Sequence, residues 1–140
     1  MILETAQLLY CVHWVLCPEG LPEDAYRKTH PNHPCAIWAR ESFDNYKWLC
    51  ELGLELCREF TFRYRKIHKT QRHLLWLQEH CPVGFPHTGI TTIRLAMPDE
   101  YKRPNPVDAY RTYYIENKLK KRNIVKYTRR QPPSFLPNAV

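Results

Sequence analysis

The stretch from Cys35 to about Arg65 constrains this chain more than any other. Trp38, Tyr46, Leu49, Gly53, Leu56, Phe60 and Tyr64 follow one another at helical spacing, mostly three and four residues apart. That is the period of a helix with one buried face, and a helix of this length becomes the axis on which the rest packs. Ser42 marks a local start or a bend within it. The shorter segments carry the same period. Residues 2–17 place Ile2, Leu3, Ala6, Leu9, Tyr10 and His13 on one broad face, and Pro18, Gly20 and Pro22 end that helix before a loop to about Pro34. Residues 70–80 read as a further helix, stopped by Cys81-Pro82 and a loop through Gly89. A short helix is expected around Pro98–Tyr101. Pro106 then opens a last helix, 106–121, with Val107, Tyr110, Tyr114 and Leu119 turned inward. Convincing β alternation and internal repeats are both missing. The expected architecture is all-α: a single compact domain over residues 1–130, with four to five helices around one long central helix. An extended, loosely packed Pro-rich tail, 131–140, follows.

The length suits that reading, because 140 residues is the usual size of one domain, and an aromatic content of 13% supplies bulk for a core. No run reaches the ~18 apolar residues that a membrane span requires. The opening MILETAQLLYCVHWVLCPEG lacks a basic lead and a small-residue cleavage site, and has Glu4, Gln7 and His13 inside its apolar stretch. It reads as a core helix rather than a signal peptide. Neither secretion nor membrane insertion is expected. Of the six cysteines, Cys50 and Cys57 lie two helical turns apart, too far along the axis to bridge, and no C-x-x-C occurs. Buried reduced thiols are expected.

Charge narrows the partner class. Twenty-one Lys and Arg against 14 Asp and Glu leave +7. The excess falls in two clusters, Arg58–Lys69 with Arg63, Arg65, Lys66 and Lys69, and Lys118–Arg130 with Lys120, Lys121 and Arg122. Both interleave Phe or Tyr with cations, as a surface meeting phosphates and unstacked bases does. Two solvated helix ends with a basic bias are the plainer alternative.

Three constellations invite chemistry. His30, His33 and Cys35 place three metal-ligand types within six residues, but Pro31 and Pro34 limit their convergence, so His33 is expected to bond locally at a helix start and no metal is expected. Arg40, Ser42 and Asn45 lie beside the apolar face set by Trp38 and Tyr46, and form either a structural network or the wall of a pocket. Glu4 sits in the apolar first helix, where a desolvated carboxylate has a raised pKa suited to acid–base work; an exposed or ion-paired residue is the alternative. Nucleotide, zinc-protease and serine-hydrolase motifs are lacking, and the loose acidic group Asp99, Glu100 and Asp108 does not make a two-metal site.

Taken together, MILETAQLL, HPNHPCAIWARESFDNYKWLCELGLELCREFTFRYRKIHKT and AMPDEYKRPNPVDAYRTYYI resemble a family of small, largely uncharacterised phage and giant-virus proteins, over nearly the whole chain. In that family a short strand and an Asp-Lys-His stretch precede the first helix, so this chain is expected to be shortened at its N-terminus, in keeping with a helix that begins uncapped. More remotely, the family is similar to the endonuclease V-type pyrimidine-dimer DNA glycosylases. That resemblance implies an all-α, cofactor-free enzyme whose α-amine attacks C1′ of a damaged nucleotide, extruded from bent DNA, to form a Schiff base. Glu4 matches the catalytic glutamate and would manage the protons of glycosidic cleavage and β-elimination. The expected function is therefore a DNA glycosylase/AP lyase, acting as a monomer on DNA in host cytoplasm or virion. A non-catalytic helical nucleic-acid-binding protein of the same fold is the alternative.

Overall fold

The computed structural model describes residues 1–122 and 125–136. The architecture is all-α, as expected: among the described residues there are five α-helices and no strand, only an isolated bridge between Ser42 and His87. No helix among them is long and apolar enough to cross a membrane. The chain forms two compact units, Met1–Ile93 and Arg94–Val140.

The first unit holds α1 (Ile2–Leu16), α2 (Pro34–Ala39), α3 (Phe43–Tyr64) and α4 (Gln71–Glu79). Its core joins Ala6, Leu9, Tyr10 and Val12 of α1 to Tyr46, Leu49, Cys50, Leu54 and Cys57 of α3, and to Leu74 and Leu77 of α4. Gly53 lies where the three meet. A Cβ there would stand 2.8 Å from the Leu74 side chain and 3.1 Å from that of Thr5. Close approach of neighbouring helices explains a mid-helix glycine that costs about 1 kcal/mol in propensity.

The expected helix from Cys35 to Arg65 is two helices. Pro34 opens α2 at its first position, with the His33 ring Nδ1 accepting from the Cys35 N–H at 3.0 Å. The chain turns out of α2 at Arg40, and the next helix begins afresh because Ser42, in an extended conformation, accepts the Asn45 N–H on its Oγ at 3.0 Å. Local capping thus overrides an apolar period that runs unbroken across the junction. At its far end α3 stops at Arg65, whose left-handed backbone (φ 56°) directs its N–H to the Thr61 carbonyl at 2.8 Å.

The second unit begins with a 3₁₀ turn, Asp99–Tyr101, followed by α5 (Pro106–Tyr113). Asn105 caps α5 by accepting the Val107 N–H at 2.8 Å. The expected α-helix to residue 121 changes at Tyr114 into π-helical turns through Lys121. Tyr113 packs on Tyr101 with ring centroids 5.2 Å apart. Of the residues expected to turn inward, Tyr110, Tyr114 and Leu119 are half-buried, whereas Val107 is 54% exposed and Ala109 is the buried residue of α5. In the described part of the tail, residues 131–134 are exposed and Phe135 is half-buried. Pro133–Leu136 forms a turn closed by the Leu136 N–H, and Leu136 is buried. Residues 137–140 lie outside the described residues.

None of the six cysteines is in a disulfide; Cys11, Cys50 and Cys57 are buried, Cys17 and Cys35 are half-buried, and Cys81 is exposed, so burial holds for only part of the set. Burial pushes the Cys50 thiol up to about 12, which keeps it protonated.

Candidate functional site

Glu4 is the first residue to locate. It lies on the first turn of α1, and its side chain is 66% exposed rather than desolvated, forming an ion pair with the Met1 α-amine at 2.6 Å. The hydrogen bond from that amine is the main reason that the carboxyl lies below its usual range. Of the two readings of Glu4, the exposed, ion-paired one is found, and the raised pKa expected of a desolvated carboxylate is replaced by a lowered one. The apolar pattern of α1 misleads here because Leu3 and Glu4 both face solvent, while Ile2, Thr5 and Ala6 face the core.

Arg40, Ser42 and Asn45 are brought together at the α2–α3 junction, and the chain itself occupies their polar atoms. The Asn45 amide donates to the Trp38 carbonyl and to Thr91 Oγ1, both at 2.8 Å, and its Oδ1 accepts the Thr91 N–H at 3.0 Å. Trp38 Nε1 donates to the Thr91 carbonyl at 3.0 Å, and Asp44 accepts the Gly89 N–H at 2.8 Å. The Thr91 hydroxyl also donates to Glu41. Arg40 reaches back to the Pro31 carbonyl. This arrangement pins the 87–91 loop to the start of α3. Thr91 carries no signal in the sequence, since its partner is 46 residues away.

The first basic cluster falls at the other end of α3. Arg63 is half-buried and ion-paired with Glu59 at 2.7 Å. Arg65, Lys66 and Lys69 are exposed, and their side chains form no ion pair among the described residues. Phe62 and Tyr64 are exposed beside them. The turn carrying them is fixed from within: the His68 ring packs on Phe60 at 4.8 Å and accepts the Thr70 N–H at 3.0 Å, while buried Thr70 shares a hydrogen bond with the Tyr26 hydroxyl at 3.0 Å.

In the second unit Lys120 pairs with Glu116 at 3.0 Å, Lys121 donates to the Tyr101 hydroxyl at 3.2 Å, and Arg122 is exposed. Lys118 lies over the Tyr113 ring at 5.1 Å. A shallow cleft of about 410 Å³ is lined by Arg103, Asp108, Arg111, Thr112, Ile115 and Phe135, with the Arg111 guanidinium 4.7 Å from the Phe135 ring centre. Of its lining, the sequence singled out only Asp108, as part of a loose acidic group, and its two arginines lie outside both basic clusters.

Two histidine–tyrosine pairs deep in the first unit were not foreseen either. The Tyr46 hydroxyl donates to the Leu77 carbonyl at 2.7 Å, so its oxygen accepts from His13 Nε2 at 2.9 Å, which fixes His13 as the Nε2–H tautomer. Burial holds the His13 pKa down at about 4. Tyr10 bonds His73 Nδ1 at 2.6 Å, and burial raises the Tyr10 hydroxyl to about 12 while lowering His73. These groups stay neutral at pH 7 and join α1, α3 and α4. Of the His30, His33 and Cys35 set, His33 is the α2 cap, and His30 is exposed at a left-handed position (φ 46°). No group of three His, Cys, Asp or Glu residues suited to a metal ion occurs among the described residues.

Comparison of the chain with protein-family models, with curated proteins and with solved structures gives no match in any of the three.

Proposed function

We propose that the chain is a DNA glycosylase with AP-lyase activity in which Glu4 manages the protons. The observation that supports this reading is the solvent-reachable Glu4 carboxylate on the first turn of α1, at the position that the resemblance gives to the catalytic glutamate. Schiff-base chemistry pairs such a carboxylate with a primary amine. The carboxylate takes a proton from the ammonium and frees the nitrogen lone pair. The nitrogen then attacks C1′ of an extruded nucleotide, and the base leaves with the electrons of its glycosidic bond and a proton. The Glu4 acid next protonates O4′ as the sugar ring opens to the iminium. The carboxylate so restored removes a C2′ proton, the 3′-phosphate leaves by β-elimination, and water releases the amine. The exposed cations Arg65, Lys66 and Lys69 fit phosphate contacts on the same partner. On this reading the working form is a monomer acting on DNA in host cytoplasm or virion.

Borohydride reduction on DNA carrying abasic or ultraviolet-damaged sites tests the proposal by converting the imine into a stable adduct. The wild-type chain should form the adduct, and Glu4→Gln should lose it while keeping its affinity for DNA. A second reading, a non-catalytic nucleic-acid-binding protein, is favoured by the exposure of Glu4, since proton-transfer groups work best when desolvated. Salt-dependent DNA binding without any wild-type adduct would decide for that second reading.

A further inference from the structure

The turn between α3 and α4 presents an isoleucine to solvent at a place where the backbone is held firmly. Ile67 is 71% exposed, while its neighbour His68 turns inward onto Phe60 and caps the Thr70 N–H. On one side Arg65 closes α3 through the Thr61 carbonyl, and on the other the Gln71 N–H bonds the His68 carbonyl at 3.0 Å. Scattered exposed aliphatic residues are ordinary on protein surfaces. This one stands at the tip of a braced turn between Arg65, Lys66 and Lys69, three cations with no ion pair among the described residues. From Thr61 to Thr70 the chain has no acidic residue, and the nearest, Glu59, is already paired with Arg63.

We propose that Ile67 is a wedge that enters a base step of duplex DNA while Arg65, Lys66 and Lys69 hold the flanking phosphates. The inference rests on the reading that the chain binds DNA and is independent of the glycosylase chemistry. An apolar side chain pushed between base pairs unstacks them, and the cost is met by apolar burial and by the phosphate contacts around it. The surroundings favour this partner over a lipid surface: a membrane-binding face needs a wide apolar stripe, whereas Ile67 stands among three cations, with the partly exposed rings of Phe62 and Tyr64 further back on α3. A rigid turn also suits insertion, because little conformational entropy remains to be lost on binding.

The test uses the full chain and a short duplex with 2-aminopurine at a flexible TA step, whose fluorescence rises on unstacking. The wild type should bind and raise the fluorescence several-fold. Ile67→Ser should abolish the rise and weaken binding about tenfold, with the slope of log affinity against log salt unchanged, because the cations remain. Ile67→Leu should behave as wild type. Both variants should melt as wild type does, since the side chain is exposed. Binding with equal fluorescence in wild type and Ile67→Ser would overturn the wedge and leave DNA binding intact; no wild-type binding to any duplex would overturn both. Binding to phosphatidylserine vesicles that depends on Ile67, without DNA binding, would overturn the wedge in favour of a lipid surface.

Discussion

At its N-terminal end α3 turns its polar side chains onto the chain's own backbone, and at its C-terminal end it turns cations to solvent. Ser42 and Asn45 are fully buried, and both amide donors and the carbonyl of Asn45 are occupied by Trp38 and Thr91. Arg65, Lys66 and Lys69 have no such occupation among the described residues. The contrast separates two uses of polarity at the two ends of one helix. Buried polar groups fix structure because leaving them unmatched is expensive, whereas exposed cations remain available to a partner.

Substitutions at the two ends should therefore differ in kind, beginning with the largest effect. Asn45→Ala removes three hydrogen bonds and leaves buried partners unmatched, and should destabilise the protein by about 3 kcal/mol in urea unfolding. A loss below about 1 kcal/mol would show that the junction is not the brace described. Acid should act on the core that both ends share. The folded-state pKa of His13, about 4, lies below the unfolded value of about 6.5. Its contribution is thus fully present above pH 6.5, falls as pH drops towards 4, and is constant below that, a change of about 3 kcal/mol. Unfolding midpoints measured between pH 7 and pH 4 should fall accordingly, and His13→Gln should flatten part of that profile. Gly53→Ala, midway between the ends, should cost about 1–2 kcal/mol by overpacking against buried Leu74, visible as a lower melting temperature. At the far end Lys66→Gln should leave stability within about 0.5 kcal/mol of wild type and still weaken DNA binding. A drop in stability comparable with that of Asn45→Ala would erase the distinction.

The all-α architecture and most helix limits were legible because proline, capping residues and apolar period agree. Pro18, Pro82 and Pro106 stand at boundaries found in the structure. The break at Ser42 was legible only as one of two options, since Trp38 and Tyr46 keep helical spacing across it. The environment of Glu4 was likewise legible only as one of two options, and the structure shows the exposed, ion-paired one. A helix with apolar residues on most sides does not reveal which few face outward until its neighbours are placed. The Asn45–Thr91, His13–Tyr46 and Tyr10–His73 pairs span 46, 33 and 63 residues, and no local pattern encodes such distances. The cations at the end of α3 were visible in composition, but which of them are occupied was not; Arg63 is taken by Glu59 through a local pair four residues away.

The most direct test of this account is the salt dependence of duplex DNA binding by the wild type and by the combined Arg65→Gln, Lys66→Gln, Lys69→Gln variant. Each lost phosphate contact should lower the magnitude of the log–log slope by about 0.9, so the variant should fall by about 2.7 with its melting temperature unchanged. An unchanged slope, or a wild type that does not bind duplex DNA at low salt, would contradict the assignment of this surface to nucleic acid.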